Sequence, residues 1–172
     1  MEKLIEITDK NIGQKPKEVL YWKVRNSARA IVIDKEHNTI GLLHVTKRKY
    51  HTLPGGGIND GESILEGLQR EILEEIGCKV KILQKFAIVI ENRSHTELRQ
   101  RSHIFVAELV EKGQANPNQE EIETESIPKW LSLDDTIKVI KKESKENKDY
   151  EYKFMFERDI EVLEQYKKSL KN

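Results

Sequence analysis

Apolar and polar residues alternate in several stretches of the chain, which is the pattern of strands that are buried on one face. This pattern predicts strands at 3–9 (KLIEITD), 27–34 (SARAIVID), 39–47 (TIGLLHVTK), 79–91 (KVKILQKFAIVIE) and 101–110 (RSHIFVAELV). Only the turn KEHN separates the second from the third, so these two predict a hairpin. The fifth stretch is apolar enough for the centre of a sheet.

The spacing of apolar residues changes between Ser63 and Ile76. They recur there at every fourth position, with one more beside them, at Ile64, Leu65, Leu68, Ile72 and Ile76. This spacing predicts a helix that buries one face. Gly77 follows the last apolar residue, in the position that commonly ends a helix.

In the C-terminal third of the chain, the residue pattern predicts a loop at 111–121 and two further helices after it. A short strand over IPKWLSLDD, 127–135, ends in acidic residues that cap a helix over 135–143. A polar linker at 146–152 precedes the last helix. The apolar face of that helix carries Phe154, Ile160, Leu163 and Tyr166.

These elements predict a fold of the α/β (α+β) class with a mixed sheet, because strands surround one central helix and the other helices come late. The length of 172 residues predicts a single domain over 1–172. The C-terminal helices belong to the segment 133–172. The N-terminal segment, 1–25, either covers the sheet of its own chain or pairs across a homodimer.

The charge balance excludes a global electrostatic attraction to polyanions. Acidic and basic residues are equal in number, the formal net charge is +0, and charged residues make up 35% of the chain. A charged ligand must therefore be captured locally, which argues against nucleic acid as a partner. The single cysteine suits a reducing compartment, and we find no signal peptide and no run of membrane-span length. We expect a cytoplasmic protein without a membrane partner.

Glycine is concentrated immediately before the central helix. Four of the nine glycines lie in LPGGGINDGES, at positions 55, 56, 57 and 61. Glycine is favoured where φ is positive or where the backbone must come close to another group. Backbone N–H groups near a helix N-terminus attract anions, so Gly55, Gly56 and Gly57 are predicted to bind a phosphorylated substrate.

The central helix carries three glutamates that face a sheltered region. Glu71 and Glu75 are four positions apart and lie one above the other, and Glu74 lies one step round the helix. Like charges at this spacing repel, unless a cation lies among them. Oxygen clusters of this kind suit Mg²⁺ or Mn²⁺. The alternative is a solvated acidic helix after an ordinary loop, but Arg70 and the glycines at fixed spacing argue against it.

Residues 56–78, GGINDGESILEGLQREILEEIGC, resemble the signature of the Nudix hydrolases. This family includes the MutT-like pyrophosphohydrolases. The one departure is Cys78, where an aliphatic residue is usual, and Cys is itself a small buried hydrophobe. The matching positions are Gly56, Glu62, Arg70, Glu71, Ile72, Glu74, Glu75 and Gly77.

The resemblance implies an α/β/α sandwich with a central mixed sheet. It also implies Mg²⁺- or Mn²⁺-dependent hydrolysis of a phosphoanhydride bond in a nucleoside diphosphate derivative, such as a nucleoside triphosphate or a nucleotide sugar. Glu71 and Glu75 match the principal metal ligands of the family, and Glu74 matches a third. Arg70 and Glu62 match an ion pair that fixes the loop against the helix. The general base of the family varies between a glutamate of the signature and a carboxylate from a later loop.

Other residues are candidates for the remaining roles. Arg48 either reaches substrate phosphates or belongs to a solvated edge, and His51, just before the glycine turn, is a candidate substrate contact. Glu120 or Glu121 in the loop QEEIETES, or Glu91 at a strand end, would be the later carboxylate. The alternative for the loop is a solvated run of charge.

Two other functions are compatible with the resemblance. The first is removal of pyrophosphate from the 5′ end of RNA. The zero net charge argues against this function, because RNA affinity depends on cationic surface. A nucleotide-sensing module that does not hydrolyse has no need of so many glutamates. The identity of the substrate stays open at this stage.

Overall fold

One mixed sheet forms the centre of the molecule. A computed structural model describes residues 3–171 and shows eight strands in a single sheet. The strands are β1 (Lys3–Thr8), β2 (Lys23–Asp34), β3 (Thr39–Val45), β4 (Tyr50–Thr52), β5 (Gly55–Gly57), β6 (Cys78–Arg93), β7 (Leu98–Lys112) and β8 (Ser126–Leu131).

The strands are ordered β1-β6-β7-β2-β3-β4, with β5 paired to β2 and β8 paired to β3. Two ladders are parallel, β1 with β6 and β2 with β7, and the others are antiparallel. The antiparallel pairs β2–β3 and β6–β7 are joined by short turns, in which Asn38 and Glu97 have positive φ. A parallel pair needs a longer crossover, so helices enter the connections and the sheet becomes mixed.

Helices cover both faces of this sheet. They are α1 (Ile64–Ile76), α2 (Gln119–Glu123), α3 (Leu133–Glu146) and α4 (Tyr150–Ser169). Leu68 and Ile72 of α1 pack on one face with Ala30 of β2, whereas Ile140 of α3 and Phe154 of α4 belong to the core on the other face. The predicted α/β/α sandwich is therefore confirmed. Among residues 3–171, no helix is both long and apolar enough to cross a membrane.

A strand is present at each predicted stretch, and some strands are longer than predicted. The strand predicted over 127–135 ends at Leu131, because α3 begins at Leu133. β2 begins at Lys23 because its polar first half pairs with β7, from Lys23↔Leu98 onward. In the N-terminal segment 1–25, β1 joins the sheet of its own chain, with Lys3 opposite Ala87 and Thr8 opposite Asn92. Residues 1 and 2 of this segment, and residue 172 of the segment 133–172, lie outside the described residues.

The structure corrects two predictions in the C-terminal third. The cap of α3 is Ser132, not the acidic residues, and its Oγ accepts a hydrogen bond from Asp135 N at 3.1 Å. The expected loop at 111–121 contains the start of α2. Asn118 and Glu121 form a reciprocal capping box there, in which Asn118 Oδ1 accepts from Glu121 N and the Glu121 carboxylate accepts from Asn118 N.

Candidate active site

The acidic helix α1 begins and ends at local sequence signals. Ser63 Oγ accepts from Glu66 N at 3.3 Å, and the Glu66 carboxylate accepts from Ser63 N at 2.8 Å, which is a complete capping box. Gly77 ends the helix with φ +65, and its N–H donates to Leu73 O. The predicted helix is confirmed, and its glutamates therefore keep the relative positions that the spacing implied.

Arg70 ties the loop before α1 to the helix. Its Nε donates to Glu62 Oε1 at 2.8 Å, and its Nη2 donates to Glu62 Oε2 and to Gly57 O, both at 3.1 Å. Its Nη1 donates to Glu71 Oε1 at 2.7 Å. The predicted ion pair is thus present. The hydrogen bond from Arg70 lowers the pKa of Glu62, and the bond to Glu62 raises the pKa of Arg70.

Glu75 is buried beneath the glycine strand. Its Oε2 accepts a hydrogen bond from Gly55 N at 2.7 Å, and the residue is 8% exposed. Burial raises the pKa of Glu75 well above its ordinary value, while the nearby charge of Arg29 acts in the opposite direction. The carboxylate of Glu75, at the edge of the apolar sector of α1, is therefore buried and not solvated.

Glu71, Glu74 and Glu121 form the carboxylate cluster of the site. Each offers an oxygen, and these oxygens all lie within 4.8 Å of one another. Burial raises the pKa of Glu121, and the charges of Glu71 and Glu74 raise it further, against a hydrogen bond from Asn118 N that lowers it. In the described part of the chain, α2 thus brings Glu121 to this cluster, whereas Glu75 lies beside it and is held by Gly55.

A cleft of about 280 Å³ opens in front of these carboxylates. Glu71, Glu75, Glu120 and Glu121 form its acidic side, and the glycine strand forms part of its wall. The opposite charge comes from Arg25, Arg29 and Arg48. Acidic and basic groups therefore meet in one concave site.

Two of these arginines are also held by protein groups. Arg29 Nη1 donates to Leu53 O at 2.9 Å, and burial lowers the pKa of Arg29 to about 10. Arg48 Nη1 donates to Tyr152 OH at 2.8 Å and lies 3.5 Å from Glu120 Oε1. Arg25 and Arg29 were not among the sequence candidates. One signal in the sequence could have indicated them. Arg25, Ser27 and Arg29 are two residues apart, so in a strand their side chains lie on the same face, just before an apolar run.

The glycine strand lets the sheet approach α1 closely. β5 pairs antiparallel with β2, with Ala28 opposite Gly56. A Cβ at Gly56 would overlap the carboxylate of Glu71, and Gly55 has φ +133. Gly61 also has positive φ, +80, but a Cβ there would meet open space. Gly56 is therefore required for close approach, whereas Gly61 serves the turn.

Two sequence candidates lie outside the cleft. His51 is on β4 with its ring stacked on His44 at 4.0 Å, and its Nδ1 lies 2.7 Å from Glu143 Oε1 of α3. Glu91 is fully buried and accepts a hydrogen bond from Arg93 Nη2 at 2.9 Å. The structure does not bring these side chains to the carboxylate cluster. Six of the remaining candidates line the cleft: Gly55, Gly56, Gly57, Arg48, Glu120 and Glu121. Glu74 belongs to the carboxylate cluster, and Arg70 connects Glu62 to Glu71 and Gly57.

Comparison with known proteins gives the same architecture. The profile of the NUDIX domain matches residues 23–154, whereas no curated protein sequence matches the chain. A NUDIX hydrolase from Nitrosomonas europaea is 19% identical with a TM-score of 0.55, over 66% of this chain and 75% of that one. A UDP-X diphosphatase is 22% identical with a TM-score of 0.57, over 87% and 65%. A MutT protein from Methanosarcina mazei Go1 is 20% identical with a TM-score of 0.54, over 87% and 99%.

The sandwich, the glycine strand and the acidic helix behind it together define a hydrolase of the class that acts on pyrophosphate bonds. Because the NUDIX profile covers well over half of its length, the chain belongs to the Nudix family.

Proposed function

We propose that this protein is a divalent-metal-dependent pyrophosphohydrolase that cleaves a phosphoanhydride bond in a nucleoside diphosphate derivative. The observation that carries the proposal is the cluster of Glu71, Glu74 and Glu121, of which Glu71 and Glu121 line one cleft together with three arginines. A nucleoside triphosphate or a nucleotide sugar presents the matching chemistry, a chain of phosphates that needs both a cation and guanidinium groups. We keep Glu62, Arg70, Glu71, Glu74 and Glu75 as the catalytic set and add Glu121.

The donor set fits Mg²⁺ or Mn²⁺. The oxygens of Glu71, Glu74 and Glu121 converge within 4.8 Å, and hard oxygen donors are what these ions prefer. Arg70 balances part of the charge on Glu71 and Glu74, but Glu121 accepts only from Asn118 among the described residues. When bound, such an ion polarises a phosphoryl oxygen and lowers the pKa of water.

The other residues of the cleft bind and orient the substrate. Arg25, Arg29 and Arg48 offer planar N–H forks that match phosphate oxygens. Glu75 lies beside the cluster and is held by Gly55 N, so it is the candidate for the general base, and burial raises its pKa. Arg70 holds Glu62 and Glu71 and so keeps the loop against α1.

The size of the cleft favours a small molecule over a polymer. A volume of about 280 Å³ lies just below the usual range of about 300–1,000 Å³ for small-molecule sites. The zero net charge likewise gives no long-range attraction for RNA. The predicted cytoplasmic location and the homodimer stay predictions.

A substrate panel with Mg²⁺ or Mn²⁺ tests the proposal. Nucleoside triphosphates, nucleotide sugars, ADP-ribose, dinucleoside polyphosphates and 5′-triphosphate RNA are compared by release of phosphate-containing products. We expect turnover of at least one small nucleotide, its loss in chelator, and a decrease of about 10²-fold or more in Glu121→Gln.

Glu123→Gln is the matched control, because Glu123 lies on the same short helix and its carboxylate accepts from Gln119. It should keep near-normal turnover. If no nucleotide is hydrolysed while Mn²⁺ still binds, the chain is a sensing module and not an enzyme. Preference for 5′-triphosphate RNA over every small nucleotide would replace the proposed substrate class.

A further inference from the structure

The segment 52–55 runs from the last residue of β4 to the first residue of β5, and Thr52 and Gly55 line the cleft. Arg29 and Glu75 both bind to its main chain. The carbonyl of Leu53 accepts from Arg29 Nη1 at 2.9 Å. Two residues later, Gly55 N donates to Glu75 Oε2 at 2.7 Å. The position of this segment therefore determines where Arg29 and Glu75 stand in the cleft.

A third anchor of the same segment comes from the C-terminal helix α4. Asp159 Oδ2 accepts from Thr52 Oγ1 at 2.7 Å and from Leu53 N at 3.1 Å. Its other oxygen, Oδ1, accepts from Arg158 Nε at 2.9 Å. Asp159 is 0% exposed and Arg158 is 1% exposed.

Burial of a charge pair is costly unless its hydrogen bonds are satisfied. Asp159 directs one oxygen to its counter-charge and the other to a side chain and a main-chain donor of the cleft wall. The other nitrogens of Arg158 have longer contacts, 3.5 Å to Thr52 Oγ1 and 3.8 Å to Glu91 Oε2. Leu53 is thus held through its N–H by Asp159 and through its carbonyl by Arg29.

We propose that Asp159 is a positioning residue of the cleft, which holds Thr52 and Leu53 and through them aligns Arg29 and Glu75. This inference rests on the proposed function of the cleft. It concerns a part of the chain beyond the NUDIX match, which ends at residue 154. The helix α4 is accordingly a component of the site and not only a cover of the sheet.

The first experiment replaces Asp159 by Asn. The amide has the same shape, but its NH₂ group faces a donor, either Arg158 Nε or the pair Thr52 and Leu53, so one anchor is lost. Amide hydrogen exchange measured by NMR, without ligand, should accelerate about tenfold at Leu53 and Gly55 relative to amides of β7. With Mg²⁺ and the best nucleotide of the panel, kcat should fall about tenfold, with a smaller change in KM.

Asp9→Asn is the matched control. Asp9 is also buried, 1% exposed, and also bonds to α4, where Tyr150 OH donates to its Oδ1 at 2.6 Å. The other oxygen of Asp9, Oδ2, accepts from Ser94 N, and neither partner belongs to the segment 52–55. Both variants should lower the melting temperature, but only Asp159→Asn should change the exchange at Gly55 and the kcat.

Thr52→Val provides the test if Asp159→Asn does not fold. It removes the hydroxyl that donates to Asp159 and the longer contact of that hydroxyl with Arg158, and it leaves both charges in place. It should accelerate exchange at Leu53 and Gly55 in the same direction. Unchanged exchange at both amides, or equal effects in Asp9→Asn, would overturn the positioning role. A wild-type protein that hydrolyses no nucleotide would refute the proposed function instead, and unchanged exchange with an active wild type would refute only the inference.

Discussion

At the scale of single residues, the cleft depends on positions where a side chain is absent. Gly56 lies against the carboxylate of Glu71, and that carboxylate receives Arg70 Nη1 at 2.7 Å. The group that approaches the glycine backbone is thus a residue of the cluster itself. A side chain at Gly56 would displace Glu71 from Arg70 and from Glu74, whereas Gly61 has no neighbour to displace.

We expect Gly56→Val to fold and to lose most of its activity. The added side chain would move Glu71 out of the carboxylate cluster, which should lower kcat/KM by about 10²-fold and weaken Mn²⁺ binding measured by titration. Gly61→Ala is the control, because its φ of +80 strains any L-residue but its surroundings are open. It should cost about 1 kcal/mol in stability and keep its turnover. Near-normal kinetics in Gly56→Val would show that the glycine run is only a connector.

At the scale of secondary-structure elements, the two walls of the cleft come from elements of opposite charge. α1 supplies glutamates and β2 supplies arginines, and β5 lies between them. The short helix α2 adds Glu121, and it is tied to the turn after β3. Lys47 N donates to Thr124 O at 3.2 Å, and Thr46 Oγ1 donates to Glu125 O at 2.8 Å. The cluster therefore depends on contacts between elements far apart in sequence.

A charge contact between the end of β2 and the end of β7 predicts that stability depends on pH. Asp34 accepts from Lys112 Nζ at 2.7 Å and from His37 N at 3.2 Å, and the hydrogen bond from Lys112 lowers its pKa from 3.8 to about 2. A lowered pKa in the folded state contributes stability that is present above 3.8 and lost as the pH falls toward 2.

Melting temperatures measured by circular dichroism across that range test this contact. The wild-type protein should lose more stability on acidification than Asp34→Asn, because the variant has no carboxylate to protonate. Asp134→Asn is the comparison for an exposed carboxylate, one whose pKa is also lowered by its pairing with Lys167 at 2.6 Å. Its effect on the acid-induced loss should be smaller, because an exposed pair contributes little. Parallel curves for wild type and Asp34→Asn would show that the contact contributes nothing to stability.

At the scale of the whole molecule, the net charge of zero conceals an uneven distribution. The cluster of Glu71, Glu74 and Glu121 concentrates negative charge at one point, so a cation that binds there stabilises only the folded chain. Unfolding separates α1 from α2 and destroys the site. The stability of the protein should therefore depend on the concentration of divalent metal.

Mg²⁺ or Mn²⁺ at about one hundred times its dissociation constant should raise the unfolding free energy by about 2.7 kcal/mol. For a chain of this size, that corresponds to a rise of about 5–10 °C in melting temperature. The rise should disappear in chelator and in the double variant Glu71→Gln, Glu74→Gln. The double variant Glu157→Gln, Glu161→Gln alters an acidic pair on α4 and should keep the full rise. Equal melting temperatures with metal and with chelator would refute the metal site.

Local signals in the sequence determined the elements that carry the chemistry. The four-residue spacing of apolar positions and the glycine after Ile76 predicted α1, because periodicity and capping act within a few residues. The same spacing placed Glu75 at the edge of the apolar sector, and the structure buries it. The signature resemblance predicted the ion pair between Arg70 and Glu62, which is present. The capping box of α2 was visible in the same way, yet Asn118 was assigned to a loop.

Membership of the cleft was decided only by the tertiary structure. Strand register places Arg25 and Arg29 opposite α1, and it directs His51 toward Glu143 of α3, away from the carboxylates. The fold of the segment after β7 brings Glu121 to Glu71, although both Glu120 and Glu121 were candidates. Asp159 reaches the segment 52–55 across more than one hundred positions of sequence. Such contacts depend on how distant elements pack, and neither periodicity nor capping carries information over that distance.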